Sequence, residues 1–131
     1  MLAALLLAAC SGMVENDSGL RYKDLEVGSG KTAVEGTTLL CHYTLWFADA
    51  GGLTKKELVQ SSEDFGEPFK CRIGYGLIAG WSEGMLGMRE GGTRRIFVPW
   101  QLGYGENGSS ALGIPGKQNL IFEIKFIEAL P

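Results

Sequence analysis

The chain has 131 residues, 45% apolar and 21% charged, enough to bury one globular core and too apolar for a disordered chain. Its net charge of −3 excludes the electrostatic footprint of a nucleic-acid binder, and the two short basic runs, Lys55-Lys56 and Arg94-Arg95, read as solvated faces. The glycines follow no three-residue period, which excludes a collagen-like chain.

Residues 1–9, MLAALLLAA, form a continuous apolar run that is too short to span a bilayer and ends in small residues, as the core of a signal peptide does. Leu7-Ala8-Ala9-Cys10 is similar to a bacterial lipobox, although no Lys or Arg precedes the run. The resemblance implies cleavage before Cys10 and lipidation of its thiol, with residues 10–18 as lipidated N-terminus and tether and a domain over 19–131. Ser11, where lipoproteins retained at the inner membrane commonly carry Asp, leans toward the outer membrane. The expected location is therefore the bacterial cell envelope, on the periplasmic side.

Alternation from Gly19 to Leu25 predicts an edge strand, and Val27-Gly28-Ser29-Gly30 a turn. In Thr37–Trp46 a period of two places Leu39, Cys41, Tyr43 and Leu45 on one face and Leu40, His42, Thr44 and Trp46 on the other. His42, the only histidine, reads as a half-exposed strand residue. Residues 48–56 are turn-like, 57–62 a short strand, and Phe69, Cys71 and Ile73 share a face of another. Cys41 and Cys71 lack a C-x-x-C spacing and read as two buried thiols, although an oxidising compartment would allow a bridge.

From Leu77 the period becomes helical, with Ile78, Trp81 and Met85 on one stripe, and Gly87 and Gly91-Gly92 keep the helix short. Thr93–Val98 resumes strand alternation and Pro99 stops it. Residues 101–119 form a long loop of the kind that serves a site. Leu120–Ile127 is the last strand. The expected fold is α+β, an antiparallel sheet with one short helix across one face. No heptad or large apolar helix argues for assembly, so a monomer is expected.

The chain contains no G-x-S-x-G, H-E-x-x-H, P-loop or paired-carboxylate pattern, and no metal or cofactor is expected. What remains is a set of aromatics, Tyr43, Phe69, Trp81, Tyr104 and Phe122, from five separate elements. By spacing alone an ordinary core is the reading favoured over a site, since aromatics commonly dominate cores.

The combination of Gly80-Trp81, Glu83-Gly84, Met88, Gly91-Gly92 and Leu102-Gly103-Tyr104-Gly105 resembles the core of the FKBP-type peptidyl-prolyl cis-trans isomerases, and the likeness spans residues 19–130. It implies isomerisation of X–Pro bonds in an apolar pocket, with proline-containing polypeptide segments as substrates and macrolide-type ligands as further partners. On that likeness Trp81 is the pocket floor, Tyr43, Phe69 and Phe122 are walls, and Tyr104 is a hydroxyl donor. Leu77 and Ile78 precede the helix, with Ile78 offering its backbone N–H, and Ile114 is the apolar residue of the flap. The family's Phe-Asp-Ser-Ser is here Val59-Gln60-Ser61-Ser62, so Gln60 stands for the carboxylate and Val59 for an aromatic wall. An arginine that often partners that aspartate is replaced by Phe65. These departures imply weakened isomerase activity, and the alternative they leave open is an FKBP-like module that binds peptide without turnover.

Overall fold

The computed structural model describes residues 12–131, so the expected signal peptide and Cys10 lie outside the described residues. Seven strands form one antiparallel sheet: β1 (Met13–Glu15), β2 (Arg21–Glu26), β3 (Thr38–Ala48), β4 (Lys55–Ser61), β5 (Phe69–Arg72), β6 (Thr93–Val98) and β7 (Leu120–Ala129). The order is β1-β2-β6-β7-β3-β4, and β5 pairs separately with β3. A single α-helix among the described residues, α1 (Ala79–Met85), lies against β6. This is the α+β arrangement expected.

The predicted alternation holds where one face meets the core. Leu39, Cys41 and Leu45 of β3, Ile96 and Val98 of β6, and Leu120, Phe122, Ile124 and Phe126 of β7 are buried with Trp81 and Met85 of α1. Burial of this continuous apolar face is the main favourable contribution to folding. The helix sits unusually close to the sheet because Gly80 and Gly84 face β6. A Cβ on Gly84 would come within 2.7 Å of Ile96, and one on Gly80 would overlap Val98. The close approach fixes the position of Trp81 between them. Cys41 and Cys71 are free buried thiols, and the contact with Cys71, together with burial, pushes the Cys41 thiol well above its ordinary value.

Three features depart from the sequence reading. The strand expected at the edge, β2, is covered by β1, which pairs Met13 with Lys23 and Glu15 with Arg21. The described part of the segment expected as a tether therefore joins the sheet through Met13–Glu15, and Asn16 and Ser18 continue the docking by donating to Glu83 Oε2 at 2.8 and 2.5 Å. Met13 also packs on a second small cluster, Ala48, Phe97 and Ile121, on the other face of the sheet. Finally, Arg94 is not on a solvated face. It is 5% exposed and inserts between sheet and helix.

Candidate active site

The long strand β3 is partnered on one edge by two different strands. β5 pairs with Thr38–Cys41, and β4 pairs with Thr44–Ala48. The ladder is interrupted between them, and buried Ser62 fills the gap. Its Oγ accepts the Tyr43 N–H at 2.8 Å and lies 2.9 Å from His42 Nδ1. A backbone donor that would otherwise be unpaired is satisfied, and Tyr43 is held where the sheet opens. Sequence reasoning assigned Ser62 no such role, because its partner lies 19 residues away.

Tyr43 therefore stands at the mouth of a cavity of about 230 Å³, lined by Tyr43, Leu45, Gln60, Phe69, Gly76, Leu77, Ile78, Trp81, Tyr104 and Phe122. Trp81, 5% exposed, is its centre. The rings of Tyr43 and Phe122 each meet it at 5.0 Å between centroids, and Phe69 at 5.8 Å, all edge to face. The strand register explains the convergence: Leu45 pairs with Phe122 of β7 and, on its other edge, with Gln60 of β4. Edge-to-face packing of this kind locks ring orientations, so the walls are set before any ligand arrives.

None of the lining residues is ionised at neutral pH. Burial raises the phenol pKa of both Tyr43 and Tyr104, and for Tyr43 the neighbouring Tyr104 adds to the shift. Both hydroxyls consequently remain donors. Tyr43 Oη donates to Gln60 Oε1 at 2.9 Å, whereas the Tyr104 hydroxyl has no protein partner among the described residues. Ile78 occupies the N-cap of α1, whose first backbone bond is Trp81 N–H to Ile78 O at 3.1 Å. The Ile78 N–H precedes the ladder and is also unpartnered among the described residues. Trp81 Nε1 is buried without a hydrogen-bond partner among the described residues.

Eight of the ten residues named from sequence thus line one cavity. The other two do not. Val59 is the extra residue of a β-bulge, since β3 residues Leu45 and Trp46 pair with Gln60 and Leu58. It packs, half-buried, against the core instead of forming a wall. Ile114, expected on the flap, is 3% exposed in the core. Reciprocal backbone bonds with Ser109, at 2.8 and 2.9 Å, fold the loop back and tuck it inward. Leu45 and Gly76 were missed as lining residues. Leu45 was legible, being two residues from Tyr43 on the same strand face, but nothing in the sequence marks Gly76.

A family model described as FKBP-type peptidyl-prolyl cis-trans isomerase matches residues 29–127. An FK506-binding protein of Neisseria meningitidis serogroup B is 40% identical over 111 residues, covering 84% of this chain and 95% of the relative. The crystal structure of FkpA from Escherichia coli superposes with a TM-score of 0.81 at 28% identity, covering 97% of this chain and 55% of that one. AtFKBP13 of Arabidopsis thaliana superposes with a TM-score of 0.77 at 31% identity, covering 90% and 98%.

Proposed function

The chain belongs to the FKBP-type peptidyl-prolyl cis-trans isomerase family and is an isomerase of X–Pro bonds; from that premise we propose that the reaction occurs in the cavity floored by Trp81, on proline-containing segments of envelope or secreted proteins. The observation that carries this reading is a preformed aromatic cavity with no ionised group and three donors unpartnered among the described residues, Tyr104 Oη, the Ile78 N–H and Trp81 Nε1. Macrolide-type ligands would enter the same cavity.

Rotation about the prolyl amide faces roughly 18–20 kcal/mol because of C–N double-bond character. Water hydrogen-bonded to the carbonyl oxygen favours the charge-separated planar form. Transfer into an uncharged cavity removes those bonds, and the walls lower the barrier further to the extent that they hold the twisted amide better than either planar isomer. An acceleration of about 10⁴–10⁵ requires only about 5.5–7 kcal/mol. Trp81, Phe69 and Phe122 supply the apolar surface. Tyr104 and Ile78 are placed to hold flanking carbonyls of the peptide. Exchange NMR on short Xaa-Pro peptides tests the reading, which fails if exchange is not accelerated.

Gln60 favours a second reading, a peptide-binding module of low turnover, because a neutral amide receives the Tyr43 hydrogen bond where the family's pattern has a carboxylate. A hydrogen bond to an ionised acceptor is about twice as strong as a neutral one. Gln60→Asp should therefore raise kcat/KM about ten-fold while leaving ground-state peptide affinity nearly unchanged. An equal gain in affinity and no gain in kcat would place residue 60 outside the reaction.

Lipidation at Cys10 would place this activity on the envelope, most consistently at the outer membrane facing the periplasm, and the short apolar run that ends at that cysteine supports the assignment. Cys10→Ser should move the protein from the membrane fraction to the soluble fraction without changing its unfolding curve, since the acyl chains and not the fold hold it. Retention in membranes after a high-salt wash would exclude a thioether-linked lipid as the anchor.

A further inference from the structure

Across the rings of Tyr43 and Phe69 from the aromatic cavity lies a second cavity of about 260 Å³, lined also by Ser62, Phe65, Glu67 and Pro68. Local sequence builds it. Ser61 Oγ accepts the Glu63 N–H at 3.4 Å and opens a 3-10 turn over Ser62–Phe65. Gly66, at φ 75°, closes the turn with its N–H on Glu63 O at 3.2 Å. A left-handed residue at this point costs glycine nothing and lets Phe65 and Pro68 border one space.

Phe65 is 64% exposed and Phe69 36% exposed. Isolated exposed aromatics are common on protein surfaces, but three rings, those of Tyr43, Phe65 and Phe69, and a proline around one cavity, adjoining an existing site, form a patch. Among the described residues, Glu67 is the one acidic residue in the lining and no basic residue lines the cavity. Lys70, the nearest in sequence, follows Phe69 on β5, and alternation turns it to the opposite face of the strand. Apolar walls with a carboxylate among them suit a side chain with a long aliphatic stem and a cationic end.

We propose that this second cavity is a subsite for a lysine or arginine side chain of the substrate near its proline, the stem lying against Phe65, Pro68 and Phe69 and the cation facing Glu67. The proposal rests on the aromatic cavity as the seat of the proline. Because the two cavities share Tyr43 and Phe69, an extended peptide advancing about 3.3–3.6 Å per residue reaches the second within a few residues of the first.

The test is kcat/KM of the full chain on peptides carrying lysine, norleucine or glutamate at each position flanking proline, with an all-alanine reference. At one position lysine should exceed norleucine by about three- to five-fold, and glutamate should be poorest. The lysine preference should shrink at about 0.5 M salt, as a partly exposed charge pair does. Glu67→Gln should bring the lysine and norleucine peptides to equal values, and Phe65→Ala should lower both relative to the alanine reference. Absence of a lysine preference at every position, or its survival in Glu67→Gln, overturns the subsite while turnover of the reference leaves the aromatic site standing. No turnover of the reference overturns both.

Discussion

Trp81→Ala should lower kcat/KM on Xaa-Pro peptides by at least ten-fold and reduce the free energy of unfolding by about 3–5 kcal/mol. The indole contacts three of the cavity's aromatic rings edge to face and is almost wholly buried. Removing it both deletes the surface that desolvates the amide and leaves a void beneath the walls. The two effects can be separated. Trp81→Phe keeps an apolar floor and removes Nε1, a buried donor with no partner among the described residues. Because an unsatisfied buried donor itself costs about 1–3 kcal/mol, this change should destabilise much less than the lost volume implies. Denaturant melts and peptide kinetics on the same preparations check both parts. Wild-type turnover in a folded Trp81→Ala protein would remove the cavity from the reaction.

Arg94→Met should destabilise the domain by about 2–4 kcal/mol while changing kcat/KM of the folded protein little. The guanidinium donates from Nη1 to the carbonyls of Gly84 and Leu86, both at 2.9 Å, where α1 ends, and from Nε to Asp24 Oδ1 at 2.7 Å on β2. It also stacks over Tyr22, 4.0 Å from the ring centroid. One side chain thus satisfies the last carbonyls of the helix and joins them to the sheet. Methionine fills comparable volume but strands both carbonyls. Lysine offers one compact charge in place of a planar fork, so Arg94→Lys should recover only part of the loss. Asp24→Asn should cost less than either, since Asp24 is partly exposed and retains water. The readout is the urea midpoint at constant m-value. A shift equivalent to less than about 0.5 kcal/mol would show that the arginine network is incidental.

The strands other than β1 and β4, and the helix, were legible in the sequence because each carries its own period: alternate residues along β3 and β7, and Trp81 and Met85 spaced along α1; β4, Lys55–Ser61, alternates in neither burial nor residue type and begins inside the stretch read as a turn. Those periods report only which residues share a face of one element. They did not bring the aromatics of separate elements together; the glycine and tryptophan motifs gave that set a chemical meaning, and the fold gave it a common cavity. Burial of Arg94, the bulge that turns Val59 away from the cavity, the inward fold of Ile114 and the cover that Met13–Glu15 places on β2 depend on partners distant in sequence or on local hydrogen bonds without a periodic signature. Arg94 shows the difference most clearly. A basic pair on a strand reads as solvated until the carbonyls at the end of a helix, 8–10 residues upstream, are placed beside it. The residue types and their alternation determined the sheet, the helix and the apolar character of the cavity. The tertiary structure alone decided which polar groups would be buried, because a buried polar group is stable only where non-local partners meet its hydrogen-bonding capacity.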